Sequence, residues 1–348
     1  MKIVHFVHSY NGFSGATKQA INLAKHIEVI SNSKQVFLTL NTTGYHNNST
    51  VKNGFIVYFS RLGAFRKLID YVSFILKENP DVIHFHGADF LLLVICKIFR
   101  KRVYWKSTLF NSDDFISLTN SRFGFIKKYL IKLIDVNNTL TQQIYNSNSL
   151  ILNERKLVTI PNGVNIPDNL DFEKEKIALI VSALLPRKRV FEGIGFYNEY
   201  LSGNGFKLYV IGPSHDGLDG FCSDYADRCL DLAKEDVIFL GELDSKSLSK
   251  YFEKASVLIH FSEYEGLPNV VLEAMSYQIF PVVSSMNGLA EEIIDEDTGF
   301  NVDGSVEFDY SQIKIPNLLG QKKVIENNSF DIVARKTHTI YERLKKVV

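Results

Sequence analysis

Residues 262–275 read SEYEGLPNVVLEAM and carry two glutamates, Glu265 and Glu273, eight positions apart. The apolar run SVLIHF precedes this stretch and is predicted to be a buried β-strand. Pro268 is predicted to be the first residue of a helix, where the N–H that proline lacks would have no partner in any case. Glu265 then lies in the loop at the carboxyl end of the strand, and Glu273 lies inside the helix. Because ligands bind at that edge of a parallel sheet, the stretch predicts an α/β fold with a binding site at these two acids.

The same alternation of strand and helix runs along the whole chain of 348 residues. The first half offers KIVHFV, KQVFLTL, DVIHFH and RVYWKST as strands, and the second half offers IALIVSAL, FKLYVIG, VIFLG and FPVVSS. This rhythm predicts parallel βαβ units in both halves. The segment TIPNGVNIPDNLDFEKEK is rich in Pro, Asn and charge, and is predicted to link two domains. We therefore predict two doubly wound domains, 1–165 and 166–330, with a ligand cleft between them and a final helix at about 330–348 that could pack back on the first domain.

The charge of the chain is zero overall but is polarised along its length. Residues 1–165 contain 20 Lys and Arg against 9 Asp and Glu, whereas the remainder contains 19 basic and 30 acidic residues. The basic half is therefore predicted to face an anionic surface. Nucleic acid is not expected as that partner, because no nucleic-acid-binding motif accompanies the charge.

The sequence predicts a cytoplasmic protein without a membrane span. Its first residues, MKIVHFV, are predicted to form a strand rather than a signal peptide. The longest apolar stretch, Phe90–Ile95, is far shorter than the ~20 residues that cross a bilayer. The three cysteines, Cys96, Cys222 and Cys229, form no CxxC pair, which favours free thiols in a reducing compartment.

Three consecutive cations, Arg187, Lys188 and Arg189, stand in SALLPRKRV, where a strand ends and a helix begins. Cations at that edge suit a diphosphate, as do the N–H groups of a helix start. With Glu265 and Glu273 each able to bind a sugar hydroxyl, the set matches a nucleotide sugar, which has a diphosphate between two sugars. The alternative for the three cations is a solvated basic patch. The alternatives for the two acids are a solvated loop acid at Glu265 and a surface helix acid at Glu273.

Five segments in order along the chain resemble the retaining glycosyltransferases of family 4, which have the GT-B fold of two Rossmann-like domains: PDVIHFHG, IPNGVN, SALLPRKRV, EGLPNVVLEAM and DEDTGFNV. The most specific part is the Glu-x7-Glu element. The resemblance implies that Glu273 binds the donor ribose, Glu265 lies beside the transferred sugar, Lys188 holds the diphosphate and His86 lies close to the donor sugar. Glu265, Lys188 and His86 are therefore predicted to be catalytic.

The resemblance also implies a wider donor-binding set. Gly15 belongs to the first loop, which approaches the phosphates, and Leu240 with Gly241 flanks the base. Ala183 stands where family members often have an arginine, so Arg187 or Arg189 is expected to supply that charge. The remaining donor-site residues line the sugar and phosphates: Gly266, Leu267, Pro268 and Asn269.

Several other polar residues are candidates for chemistry. His86 is nearest the carboxyl end of its strand, whereas His84 is expected to be a core residue. Asp113 and Asp114 follow the RVYWKST strand and are expected on the acceptor side, with a structural role as the alternative. The acidic DED at residues 295–297 is predicted to be a solvated turn, and no metal ion is predicted to be required.

A basic amphipathic segment, RFGFIKKYLIKLI at residues 122–134, interleaves aromatic and aliphatic residues with cations. Such a helix can lie in a membrane interface, so it is predicted to contact an anionic membrane. The alternative is an ordinary core-facing helix with a solvated basic face. The cations of this segment are Arg122, Lys127, Lys128 and Lys132.

We therefore predict a retaining glycosyltransferase that uses a nucleotide sugar, with UDP favoured, and no cofactor. Its acceptor is expected to be a glycan, plausibly linked to polyprenyl diphosphate, in surface polysaccharide biosynthesis such as that of O-antigen or capsule. The protein is expected in the cytoplasm, peripheral on the inner face of the membrane. The alternatives are a nucleotide-sugar epimerase of GT-B fold and a catalytically silent binding relative. A dehydrogenase is disfavoured because no G-x-G-x-x-G follows a strand.

Overall fold

The computed structural model describes residues 1–10, 15–40, 49–304 and 306–346. The chain forms two compact units, the first made of residues 1–163 and 330–348 and the second of residues 164–329. Each unit has one sheet with a helical layer on both faces. The predicted architecture of doubly wound α/β units is therefore confirmed.

The first unit contains eight strands in the order β3-β4-β2-β1-β5-β6-β7-β8. Neighbouring strands are parallel except for β3, which runs antiparallel to β4. The strands are β1 (Lys2–Val7), β2 (Lys34–Leu40), β3 (Ser49–Lys52), β4 (Phe55–Ser60), β5 (Val82–Phe85), β6 (Arg102–Ser107), β7 (Val136–Thr139) and β8 (Leu157–Thr159). The helices, numbered along the chain, are α1 (Gly15–Ile30), α2 (Ala64–Glu78), α3 (Phe90–Ile98), α4 (Phe115–Asn120), α5 (Gly124–Ile131), α6 (Gln142–Ser149) and α13 (Phe330–Lys346).

Alternate residues of each strand point to opposite faces of this sheet and so build two cores. Phe6, Phe85 and Trp105 lie in the core beneath α2, α3 and α5. Ile3 and Tyr104 lie in the other core, beneath α1 and α13. Helix α13 therefore completes the unit in which the chain begins, although it follows the whole second unit in sequence.

The second unit contains six parallel strands in the order β11-β10-β9-β12-β13-β14. The strands are β9 (Ile177–Val181), β10 (Lys207–Ile211), β11 (Val237–Gly241), β12 (Val257–His260), β13 (Phe280–Val283) and β14 (Phe300–Asn301). The helices are α7 (Val190–Phe196), α8 (Ser223–Leu232), α9 (Ser245–Lys254), α10 (Asn269–Ser276), α11 (Ala290–Ile293) and α12 (Leu318–Asn328). The strand order reverses between β9 and β12, and such a switch point is where open α/β sheets bind ligands.

Two helix boundaries differ from the sequence prediction. Pro268 is the N-cap of α10 rather than its first residue, because its ψ of 90° is not helical. The basic segment at 122–134 is helical only over Gly124–Ile131, since Phe123 adopts a left-handed conformation and the last residues form turns. None of the helices in the described part of the chain is long and apolar enough to cross a membrane.

Candidate active site

The switch point of the second unit brings together two loops that lie far apart in sequence. One loop leaves β9 and contains Lys188, and the other leaves the neighbouring strand β12 and contains Glu265. The backbone joins them, because the Glu263 N–H donates to the Arg187 carbonyl at 2.9 Å. The structure therefore places the predicted diphosphate lysine beside the predicted sugar-side glutamate.

Lys188 and Glu265 form a buried ion pair in which Lys188 Nζ donates to Glu265 Oε1. Their side chains are only 16% and 14% exposed. Burial alone would raise the pKa of Glu265, but His260 and Lys188 outweigh it and lower the pKa to about 2. Glu265 is therefore a carboxylate at neutral pH, and Lys188 contacts a full negative charge.

His260 is a third member of this cluster that the sequence reasoning missed. It is the last residue of β12 and is buried, with Nε2 at 3.3 Å from Glu265 Oε1 but without a well-aligned hydrogen bond. The signal was its position: a histidine at the carboxyl end of a strand, five residues before Glu265. Within the apolar run SVLIHF, however, the pattern alone predicts only a strand residue.

The two arginines that flank Lys188 contact other groups. Residues Pro186–Lys188 form one turn of 3₁₀-helix and Arg189 takes a left-handed conformation, with φ 47° and ψ 39°. Its guanidinium lies 3.7 Å from Glu192 and 3.8 Å from Asp303. The guanidinium of Arg187 lies 5.8 Å from the ring centroid of Tyr264. The three cations therefore contact different partners, and Lys188 is the one that pairs with Glu265.

The start of α10 forms the next part of the site. Glu273 is half-buried inside this helix, and Pro268, as its N-cap, has no side-chain oxygen to bond the first N–H groups. An anionic ligand oxygen can take that role. The predicted donor-site residues Gly266, Leu267 and Asn269 are also only partly buried, so the loop before the helix is accessible.

The predicted base-flanking residues Leu240 and Gly241 end β11, two strands away from β9. The Gly212 N–H donates to the Gly241 carbonyl at 2.8 Å, which ties the ends of β10 and β11 together. A side chain at Gly212 would come within 2.0 Å of the Ser182 carbonyl, and its φ is 155°. Glycine is therefore required where the strand ends converge.

His86 and Gly15 belong to the first unit. His86 follows β5 and is buried, with Nε2 at 3.0 Å from His5 Nδ1. Gly15 is the exposed first residue of α1, and residues 11–14 of the predicted first loop lie outside the described residues.

Asp113 and Asp114 do not form an open acceptor-side pair. Asp113 accepts hydrogen bonds from the backbone N–H groups of Thr108 and Leu109 at 2.7–2.9 Å, and burial raises its pKa. Asp114 caps α4 by accepting from the Ser117 N–H at 3.1 Å. These contacts engage both carboxylates and support the structural alternative, so the acceptor-side assignment stays a prediction.

Three buried histidines, His5, His84 and His86, have ring nitrogens within 4.8 Å of one another. The rings of His84 and His86 are stacked, with centroids 3.8 Å apart and an angle of 24° between them. Because each lone pair lies in its ring plane, stacked rings cannot direct both toward one ion. The cluster therefore fits a hydrogen-bonded network better than a metal site, and the absence of a required metal remains a prediction.

The chain is similar to known glycosyltransferases in sequence and in fold. Residues 164–319 match the family model described as glycosyl transferases group 1. The chain is similar to an uncharacterized glycosyltransferase of Methanocaldococcus jannaschii, with 29% identity over 220 residues that cover 54% of each protein. That match spans about half the length of this relative. The chain is also similar to the amylovoran biosynthesis glycosyltransferase AmsD of Erwinia amylovora, with 24% identity over 251 residues and 68% of each protein.

Solved structures share the fold over the whole chain. Sucrose-phosphate synthase from Thermosynechococcus elongatus has a TM-score of 0.76 at 16% identity, with 100% of both chains covered. Anabaena HepE, solved in complex with UDP and glucose, has a TM-score of 0.73 at 14% identity, with 98% of this chain and 99% of that chain covered. At these identities the likeness establishes the fold, which is GT-B.

Proposed function

We propose that this chain is a group 1 glycosyltransferase, since residues 164–319 match that family model and the fold is GT-B, and that it transfers a sugar from a nucleoside diphosphate sugar to a glycan acceptor. The observation that supports this most strongly is the buried Lys188–Glu265 pair at the switch point of the second unit. A buried cation beside an uncapped helix start suits a leaving diphosphate.

The proposed roles follow from these positions. The bond between the sugar's anomeric carbon and the diphosphate breaks, and a bond from the acceptor oxygen forms on the same face. The acceptor proton passes to the departing diphosphate, whose charge Lys188 neutralises. Glu265 lies beside the sugar, Glu273 binds the ribose, and Leu240 and Gly241 flank the base. Uridine is the proposed base, and HepE, which has the same fold, is solved with UDP.

We further propose that transfer needs no metal ion or other cofactor. In this proposal Lys188 supplies the positive charge that a divalent cation would otherwise bring to the diphosphate. The buried Glu265 carboxylate is already paired with this lysine, and its pKa of about 2 keeps it charged at neutral pH. The site therefore carries its own cation.

The donor is tested by measuring thermal unfolding with UDP-, GDP- and ADP-sugars in the presence of EDTA. A ligand at 100 times its Kd stabilises the folded state by about 2.7 kcal/mol. We expect this stabilisation from UDP-sugars alone. Stabilisation by another nucleotide class would assign a different base to the donor. If no class stabilises the protein, the proposed function is contradicted. A nucleotide sugar that is consumed without an acceptor, and recovered as its epimer, would identify an epimerase instead.

The first unit has a surface that suits an anionic membrane. Helix α3 packs between α2 and α5, and Lys127 Nζ on α5 lies 5.7 Å from the Phe90 ring centroid at the start of α3. We call the exposed residues of α2, α3 and α5, together with Arg122, Phe123 and Lys132 at the ends of α5, the basic apolar surface. Its most exposed apolar residues, 57–74% accessible, are Phe65, Leu76, Ile98, Phe123, Phe125 and Tyr129. Its exposed cations include Arg66, Arg122, Lys128 and Lys132.

We propose that this surface holds the protein on the inner face of the cell membrane, where it meets a glycan linked to polyprenyl diphosphate. Exposed aromatics can enter the interface while cations bind anionic headgroups. The contribution of α2 was not predicted from the sequence. The similarity to an amylovoran biosynthesis enzyme supports a polysaccharide acceptor.

Membrane binding is expected to weaken by about fivefold for each cation that is removed from this surface, because each contributes on the order of 1 kcal/mol. The measurement is flotation with phosphatidylglycerol vesicles at low salt, comparing the wild type with Lys128→Gln and Lys132→Gln. Lys25→Gln, which removes the charge of an exposed lysine of α1 outside the surface, is the matched control and should bind normally. Equal binding to phosphatidylcholine vesicles, or no binding to either, would contradict the proposal.

A further inference from the structure

A row of buried polar side chains crosses the sheet of the first unit on the face covered by α1 and α13. Gln35 of β2, His5 of β1 and His86 after β5 are adjacent members, because β1 lies between β2 and β5. They are 3%, 0% and 5% exposed. Of these three residues, only His86 is one that the family resemblance places close to the donor sugar, so the other two need a separate explanation.

The hydrogen bonds of this row fix the position of every ring proton. The Gln35 Nε2 group donates to the Ser33 carbonyl at 3.2 Å, so Gln35 Oε1 is the atom that faces His5. Since Oε1 only accepts, His5 Nε2, at 2.8 Å, must carry a proton and donate it. A neutral His5 then has an unprotonated Nδ1, which accepts from His86 Nε2 at 3.0 Å. A neutral His86 therefore keeps its free lone pair on Nδ1.

Both rings are held neutral by their surroundings. Burial lowers the pKa of His5 to about 4, with a further contribution from the charge of Lys106. Burial also lowers the pKa of His86 far below its ordinary value, together with His5 and Lys106. Other polar groups packed on this row are His84 and Tyr341 of α13, which are hydrogen-bonded to each other at 2.5 Å. No acid among the described residues is hydrogen-bonded to either ring.

We propose that Gln35 and His5 are positioning residues that hold His86 as its Nε2–H tautomer, so that Nδ1 accepts a hydrogen bond from a substrate hydroxyl. This inference rests on the proposed glycosyl transfer and deepens it. The direction of this hydrogen bond depends on the tautomer of His86. In the Nδ1–H tautomer, Nδ1 would be a donor where the substrate hydroxyl needs an acceptor. Among the described residues no hydrogen-bond partner contacts Nδ1.

The first test measures the tautomer by ¹⁵N nuclear magnetic resonance of histidine-labelled protein without substrate. His86→Gln assigns the resonances. In the wild type we expect a protonated Nε2 and an unprotonated Nδ1 on His86. Gln35→Leu removes the acceptor that orients His5 and is expected to release this preference. A wild-type His86 with Nδ1 protonated would overturn the inference, whatever the donor sugar proves to be.

The second test compares two replacements of His5 in turnover of the nucleotide sugar selected by the binding screen. His5→Asn keeps an acceptor oxygen near the Nδ1 position, whereas His5→Phe keeps a flat ring without one. We expect kcat to fall about tenfold in His5→Phe, the size of one lost hydrogen bond, and to be largely retained in His5→Asn, with KM similar in both.

The outcomes of these tests separate the two proposals. If both His5 variants, and Gln35→Leu, turn over like the wild type, the positioning role is wrong while the transferase function stands. Failure of the donor-binding screen would contradict the function and leave the tautomer result intact. The thermal unfolding of each variant is also measured, because a variant that is partly unfolded would show a lower kcat for that reason alone.

Discussion

Lys188→Ala is expected to lower kcat/KM for sugar transfer by a factor on the order of 10²–10³, the loss typical of removing a preorganised group that stabilises transition-state charge. The variant removes the cation that faces the departing diphosphate. It also leaves Glu265, whose side chain is 14% exposed, without the partner that offsets its burial. Initial rates with the donor chosen by the binding screen measure the effect.

The control for this prediction is Lys207→Ala, which changes an exposed lysine at the opposite, amino-terminal edge of the same sheet. Its activity should match that of the wild type. The double variant Lys188→Met/Glu265→Gln removes both buried charges, so it should recover stability without recovering activity. A Lys188→Ala enzyme that keeps most of its activity while folded would rule out the proposed role of this lysine.

Glu265→Gln is expected to lower the free energy of unfolding at neutral pH by about 3 kcal/mol, because the carboxyl's pKa falls from an ordinary 4.5 to about 2 on folding. A depressed pKa stabilises the fold fully above pH 4.5, and this contribution is lost as the pH falls toward 2. The difference between the variant and the wild type should therefore narrow through that range. Urea unfolding at a series of pH values measures it.

The matched control for this measurement is Glu263→Gln, two residues earlier in the same loop, where the side chain is exposed. Surface changes of this kind usually alter the free energy of unfolding by less than about 0.5 kcal/mol. A constant difference between Glu265→Gln and the wild type from pH 7 down to pH 2 would show that the ion pair is not the source of the stability.

The strands, loops and helices of the site could each be predicted from the sequence, but the contacts between them could not. The strand before Glu265 and the helix that carries Glu273 both have clear patterns. The contact between Lys188 and Glu265, however, joins residues 77 positions apart. It depends on β9 lying beside β12, and strand order is not encoded in the apolar pattern of either strand. Only the resemblance to a family linked the two segments in advance.

Other features of the site have local causes that the sequence does not show. Three adjacent cations, Arg187 to Arg189, look alike in sequence, yet a 3₁₀ turn and one left-handed residue send their side chains to different partners. Asp113 and Asp114 look accessible after a strand, but backbone N–H groups and a helix cap use them. Such assignments depend on backbone angles and on partners that a one-dimensional pattern does not specify.

The discontinuity of the first unit has a consequence for synthesis on the ribosome. The residues of α13, 330–346, are translated only after the whole of residues 164–329. Until then the apolar side chains that α13 covers, including Ile3 and Tyr104, face solvent in the nascent chain. The second unit, which is continuous in sequence, can complete its fold first. Exposed apolar surface of this kind promotes association with chaperones or with other nascent chains, so we expect the polypeptide to be prone to aggregate in the interval before α13 emerges.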